Sequence, residues 1–133
     1  MRAVITKDSN SGGVKNSTFM RGDTETIRVR ISGQSLSPDN FGFKFTAKAS
    51  IADSDTSAII QKSSAVDGGI TITALNPNVI EAAIAIASSD TESLMDGDEL
   101  FYDIQMTTTS PISVRTLEKG KFKIEGDITL ENE

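Results

Sequence analysis

The sequence predicts an all-β fold, a sandwich of about seven to nine short strands with one short helical turn. Three observations carry this reading. Residues 99–106 and 120–130 alternate apolar and polar side chains, with Leu100, Tyr102, Ile104 and Met106 on one face of the first segment and Phe122, Ile124, Ile128 and Leu130 on one face of the second. Successive side chains of a strand point to opposite faces, so a period of two describes strands with one buried and one wet side. Turn chemistry recurs between such segments at the short spacing of a β-sandwich. A helical signal is confined to one short stretch, residues 89–95.

Residues 1–23 are polar and rich in Gly, Ser and Asn, with Val4, Ile5, Val14, Phe19 and Met20 as isolated apolar points. They are expected to form an N-terminal arm, flexible or exchanged as a strand with a neighbour, ahead of a single sandwich domain over 24–133; the alternative is a weak edge strand folded back onto the chain's own sheet. From Thr26 the pattern sharpens. Ile27, Val29 and Ile31 alternate with Arg28 and Arg30, and the stretches 32–35 and 37–40 break the strand with turn residues. Phe41, Phe43, Phe45, Ala47 and Ala49 then share one face, which places three aromatic rings at the centre of the expected core. Residues 53–57 read as a loop, and 58–62 as a short apolar strand. Asp67-Gly68-Gly69 is a hairpin signal, because tight hairpin turns need positive φ. Ile70, Ile72 and Ala74 form the next strand face, Asn76-Pro77-Asn78 a turn, and 79–87 a strand carrying Ile80, Ala82, Ile84 and Ile86 in register. Ser89 or Asp90 caps the single helical turn, with Glu92 three residues after Ser89 as in a capping box. Residues 107–111 form a turn, 112–117 a short strand, and Glu118-Lys119-Gly120 a hairpin turn into the last strand.

A length of 133 residues suits one hydrophobic core. With 37% hydrophobic and 5% aromatic residues, that core is small and some faces are expected to be covered by neighbours. The 13 basic and 19 acidic residues leave a net charge of -6, which opposes nucleic-acid binding. Lys119, Lys121 and Lys123 alternate with other residues and read as a solvated strand face. No segment approaches the roughly 20 apolar residues of a membrane span. No secretory leader precedes the polar stretch 8–13, so the chain is expected to be made and kept in a cytoplasm. Without cysteine the fold is indifferent to redox conditions. The sequence also lacks His and Trp, which removes the commonest general base, the thiol nucleophile and the usual zinc and haem ligands.

Several strings come in a familiar order: Arg21-Gly22-Asp23-Thr24 before a strand; Asp67-Gly68-Gly69-Ile70-Thr71-Ile72; Asp96-Gly97-Asp98-Glu99-Leu100-Phe101-Tyr102-Asp103-Ile104-Gln105; and Arg115-Thr116-Leu117 followed by the stretch 120–129. Together, over residues 20–131, they resemble the small Ig-like β-sandwich domains of tailed-bacteriophage structural proteins, such as the N-terminal domain of upper-baseplate proteins. In those proteins the last strand continues into a further module, whereas this sequence stops at Glu131-Asn132-Glu133. The resemblance implies an antiparallel Ig-like sandwich and a role in the tail, baseplate or connector of a virion. It transfers no catalytic residue.

Individual motifs have simpler readings. Arg21-Gly22-Asp23 is the tripeptide that integrins read, and a turn into the next strand accounts for all three residues. Asp96, Asp98 and Glu99, joined by Asp53 or Asp55, offer oxygens to Ca²⁺ but lack the frame of a calcium loop, so a solvated turn is expected. No acid pair is selected for glycoside hydrolysis, and no Lys-Ser/Thr or helix follows Gly68-Gly69 to make a phosphate cradle. The expectation is therefore a non-enzymatic virion structural protein, assembled in the host cytoplasm. It would act by docking to other virion proteins and to copies of itself, with no cofactor, metal, nucleic acid or membrane. The alternative is an extracellular adhesion or carbohydrate-binding module, for which one Tyr and no Trp supply few aromatic platforms.

Overall fold

The structure is a computed structural model and describes residues 2–9, 13–50 and 58–126. Among these residues the strands are β1 (Arg2–Lys7), β2 (Thr18–Met20), β3 (Glu25–Ser32), β4 (Phe41–Lys48), β5 (Ile60–Ser63), β6 (Ile70–Asn76), β7 (Val79–Ile86), β8 (Glu99–Thr109) and β9 (Ile112–Glu125). A 3₁₀ turn spans Pro38–Asn40, and one helical turn, α1, spans Ser88–Thr91. The strands form two sheets, in the orders β1-β3-β7-β6 and β2-β9-β8-β4-β5. The first matches the ABED sheet of an immunoglobulin sandwich, and β9-β8-β4 its GFC sheet. The chain is an all-β, Ig-like sandwich. Its strand pairs are antiparallel, with one exception among the described residues: β2 runs parallel to β9.

The alternating patterns decide which side chains meet between the sheets. Ile27, Val29 and Ile31 of β3 and Ile80, Ala82 and Ile84 of β7 are fully buried, and they face Phe45, Ile104 and Ile124 of the other sheet. Phe43, Leu100, Tyr102, Met106 and Phe122 are buried in the same cluster, while Phe41 and Ile72 pack at its margin. Every residue expected at the centre of the core thus lies in it or against it. Ile128 and Leu130, expected to continue the last strand, lie outside the described residues, as does the loop expected at 53–57.

Four expectations need correction. Residues 2–9 and 13–23 take the edge-strand reading and do not stand apart as an arm. β1 pairs with β3 from Arg2 to Lys7, and β2 pairs with β9. Val14 is 1% and Phe19 4% exposed, because the Phe19 ring lies 4.5 Å from that of Phe122. Lys7 fastens the two pieces together, donating from Nζ to the Thr18 carbonyl at 2.6 Å with its ammonium 4.6 Å from the Phe19 ring centre. Of the apolar points in this segment, Val14 and Phe19 are buried and Ile5 and Met20 half-buried against the chain's own body, while Val4 stays exposed.

Asp67-Gly68-Gly69 forms a tight turn but no hairpin, since β5 and β6 belong to different sheets. Asp67 and Gly69 take positive φ, and a Cβ on Gly68 would fall 2.4 Å from the Ser63 carbonyl oxygen. The turn carries the chain across the sandwich. Glu118-Lys119-Gly120 is no turn at all but the middle of the 14-residue β9. Its register shifts opposite Ile104/Gln105, where Leu117 is the extra residue of a bulge. Gly120 is small for another reason: a Cβ there would meet Lys15 Cγ at 2.8 Å. The helical turn spans Ser88–Thr91 rather than 89–95, its N-cap is Ala87 rather than Ser89 or Asp90, and Asp90, rather than Glu92, reaches back to accept the Ala87 N–H at 2.7 Å.

Candidate docking face

The outer face of the five-stranded sheet follows from the register of β8 and β9. Leu100, Tyr102, Ile104 and Met106 are buried, so the intervening residues of β8 face outward. Opposite them stand Ile112 (with Thr109), Val114 (with Thr107), Thr116 (with Gln105), Lys119 (with Asp103) and Lys121 (with Phe101). The bulge makes this possible. Leu117 packs partly against the core and Glu118 turns inward to accept the Tyr102 hydroxyl, so two consecutive residues point the same way and outward alternation resumes at Lys119. Burial, and then the neighbouring Glu118 carboxylate, push the Tyr102 hydroxyl far above its ordinary pKa, so Tyr102 stays a proton donor.

A groove of about 520 Å³ opens on this face. Lys15, Lys48, Lys119 and Lys121 line it, with Phe101 on its floor and Asp103 as its acid. Lys121 also meets Glu99 at 3.4 Å. Lys15 arrives from the loop before β2 and lies over Gly120, held there by the Asn16 N–H, which donates to the Lys121 carbonyl at 2.7 Å. Beside the groove, β9 is an open edge. β2 covers it only from Lys123 to Glu125, and among the described residues no backbone group pairs with that edge over 112–119. Ile112 and Val114 are 87% and 66% exposed there.

The opposite face of the molecule carries a row of ion pairs. Arg28 bonds Asp8 at 2.8 and 3.0 Å and Glu81 at 2.9 Å, and Arg30 bonds the other Glu81 oxygen at 2.8 Å. Burial pushes the Glu81 carboxyl up, but the hydrogen bonds from Arg30 and Arg28 outweigh it and hold the group below its ordinary pKa. The Arg28 hydrogen bond likewise holds Asp8 down. Because Asp8, Arg28 and Glu81 come from β1 and its end, β3 and β7, this row is a brace across three strands.

The motifs picked out in the sequence sit elsewhere. Arg21-Gly22-Asp23 forms a turn between β2 and β3, tied by Arg21 N–H to the Glu125 carbonyl at 2.8 Å and by Gly22 N–H to Thr91 Oγ1 at 2.8 Å. Asp96 accepts the Gly126 N–H and Asp98 the Met95 N–H, at 2.8 and 2.9 Å. These two acids thus serve the turn leading into β8. Among the described residues no group of three or more acidic side chains has a metal-holding arrangement, and Asp53 and Asp55 lie outside those residues. The groove itself was half legible: Lys119 and Lys121 alternate in the sequence, but nothing local announces that Lys15 joins them.

No protein-family model and no curated protein sequence matches the chain. Among solved structures, the chain is similar to the crystal structure of AggA, the major subunit of aggregative adherence fimbriae type I from Escherichia coli. That likeness covers 95% of each chain at 6% identity, with a TM-score of 0.41. At that level it carries no argument about what this chain does, and the fold assignment stands on strand order and register.

Proposed function

We propose that this chain is a non-enzymatic structural module that works by protein–protein docking, as a component of a bacteriophage tail, baseplate or connector assembled in the host cytoplasm. The observation that carries the docking part is the open edge of β9, where Ile112 and Val114 are exposed beside backbone that no described residue pairs. Exposed strand edges are templates for a further strand, and exposed apolar side chains next to one favour being covered. The virion setting rests on the ordered motifs that resemble phage Ig-like domains.

Two measurements test this. Light scattering of the purified chain, alone and mixed with particle proteins, should show self-association or co-assembly below about 0.1 mM, the range in which specific contacts hold. Mass spectrometry of phage particles purified from the source culture should find the chain at stoichiometric abundance. A chain that stays monomeric, joins no complex and is missing from particles rules the role out. Turnover of any substrate dependent on a named side chain would overturn the non-enzymatic part.

A further inference from the structure

We propose that the groove and the open edge of β9 form one site, and that its occupant is an extended acidic segment of a partner protein that adds as a strand beside residues 112–119. This rests on the docking reading and names the chemistry of the partner. Three features converge. First, among the described residues the backbone of β9 has an unfilled side over 112–119. Outward-facing groups at 121, 123 and 125 are taken by Asn16, Ser17 and Arg21 of the chain's own N-terminal segment. The alternation of an antiparallel ladder, shifted by one at the Leu117 bulge, leaves 112, 114, 116 and 119 facing outward. An added strand would continue the row that β2 begins.

Second, the side chains along this edge change character in one direction. Ile112 and Val114 come first and Thr116 follows, then Lys119 and Lys121, all on the outer face, with Lys15 closing the far end. A strand lying there places alternate side chains against apolar groups at one end and ammonium groups at the other. Third, the charge is out of keeping with the chain. On a molecule of net charge -6, Lys15 and Lys119 face one groove whose lining holds a single acid, Asp103. No carboxylate lies within ion-pair distance of Lys15 or Lys119 among the described residues. A segment carrying Glu or Asp at alternate positions supplies the missing charge, and its backbone supplies the missing hydrogen bonds. Backbone pairing gives such addition its affinity, and alternate side chains give it selectivity. An anionic glycan would satisfy the lysines but not the unpaired backbone, which is why the peptide is favoured.

The test uses the full chain and a fluorescein-labelled octapeptide of alternating Thr and Glu, read by anisotropy. Saturable binding is expected, weakened at least about tenfold by Lys119→Glu and by raising salt from about 50 mM to about 500 mM. A version N-methylated at alternate backbone nitrogens should bind at least about tenfold more weakly than its parent, and an octapeptide of alternating Thr and Lys should not bind. Lys119 is exposed, so Lys119→Glu should fold as the parent does, checked by circular dichroism. Equal binding of the methylated and unmethylated peptides overturns strand addition. A heparin hexasaccharide that binds more tightly than the peptide assigns the groove to glycans instead and overturns the proposal. Absence of binding in a chain that still assembles in light scattering removes this site while leaving the docking role standing.

Discussion

Replacing Phe19 by Ala asks whether the first twenty residues belong to the folded domain. Phe19 is 4% exposed, its ring centre lies 4.5 Å from that of Phe122, and the Lys7 ammonium lies 4.6 Å from the same ring. Truncating a buried Phe to Ala costs about 3–5 kcal/mol, from lost transfer energy and the cavity left behind. β2 is three residues long and lies at the edge of its sheet, so the site can partly close, and the lower figure, about 3 kcal/mol, is the expected one. Against a total stability of about 5–15 kcal/mol this is a large fraction, worth roughly 10 °C in melting temperature. Urea unfolding followed by fluorescence or circular dichroism measures it. The midpoint should fall with little change in slope, since the unfolded state exposes nearly the same surface. A free or exchanged arm would give almost no change in the monomer. A loss below about 1 kcal/mol would therefore refute the placement of β2 against β9.

Phe45→Ala, at a fully buried position 5.9 Å from the Tyr102 ring, should cost about 3–5 kcal/mol, while Thr107→Ala on the outer face of the same sheet should stay within about 0.5 kcal/mol; equal effects would mean that the two faces are exchanged. Gly68→Ala should lose about 2 kcal/mol, since the new methyl meets the Ser63 carbonyl at 2.4 Å, and a neutral result in thermal melts would contradict the turn geometry. Glu81 and Asp8 have folded pKa values below their unfolded ones, so the unfolded chain binds more protons at low pH. Their stabilisation is complete above the unfolded values, 4.5 for Glu81 and 3.8 for Asp8, and fades as pH falls through the lower folded values. Glu81→Gln should therefore flatten the acid limb of a stability–pH curve below about pH 5, and an unchanged limb would show that the brace contributes nothing. Elemental analysis of the purified protein should find no stoichiometric zinc or iron, and a bound equivalent of either would contradict the reading of its ligand-poor composition.

Local pattern carried the fold wherever one strand faces one core. Alternation over 99–106 and 41–48 fixed which side chains turn inward, because a slip of one residue would have exposed every Ile and Phe. Turn residues were equally visible, but not what they join. Asp67-Gly68-Gly69 has the backbone freedom of a hairpin turn, and only the partners of β5 and β6 reveal a crossing between sheets. Gly120 read as a turn because a small residue beside Glu118 and Lys119 has that signature. Its reason, the passage of Lys15 over the strand, lies at the other end of the chain. The same distance hid β2: Val14 and Phe19 have no period of their own, since their partner strand is the last to be made. The groove divided the same way, with Lys119 and Lys121 visible as an alternating pair and Lys15 not.

The parallel pairing of β2 with β9 also has a mechanical meaning. Two strands running the same way present opposite ends to a pull that enters ahead of β1 and leaves after β9. Such a pull slides β2 along β9 and loads together the bonds that Asn16 and Arg21 donate to the Lys121 and Glu125 carbonyls and the one that Lys123 donates to the Ser17 carbonyl. It cannot open them one after another, as peeling a hairpin does. β1 is loaded against β3 in the same sense, with the Asp8–Arg28 pair at its end. Tension along the axis of β2 and β9 thus meets a clasp rather than a seam.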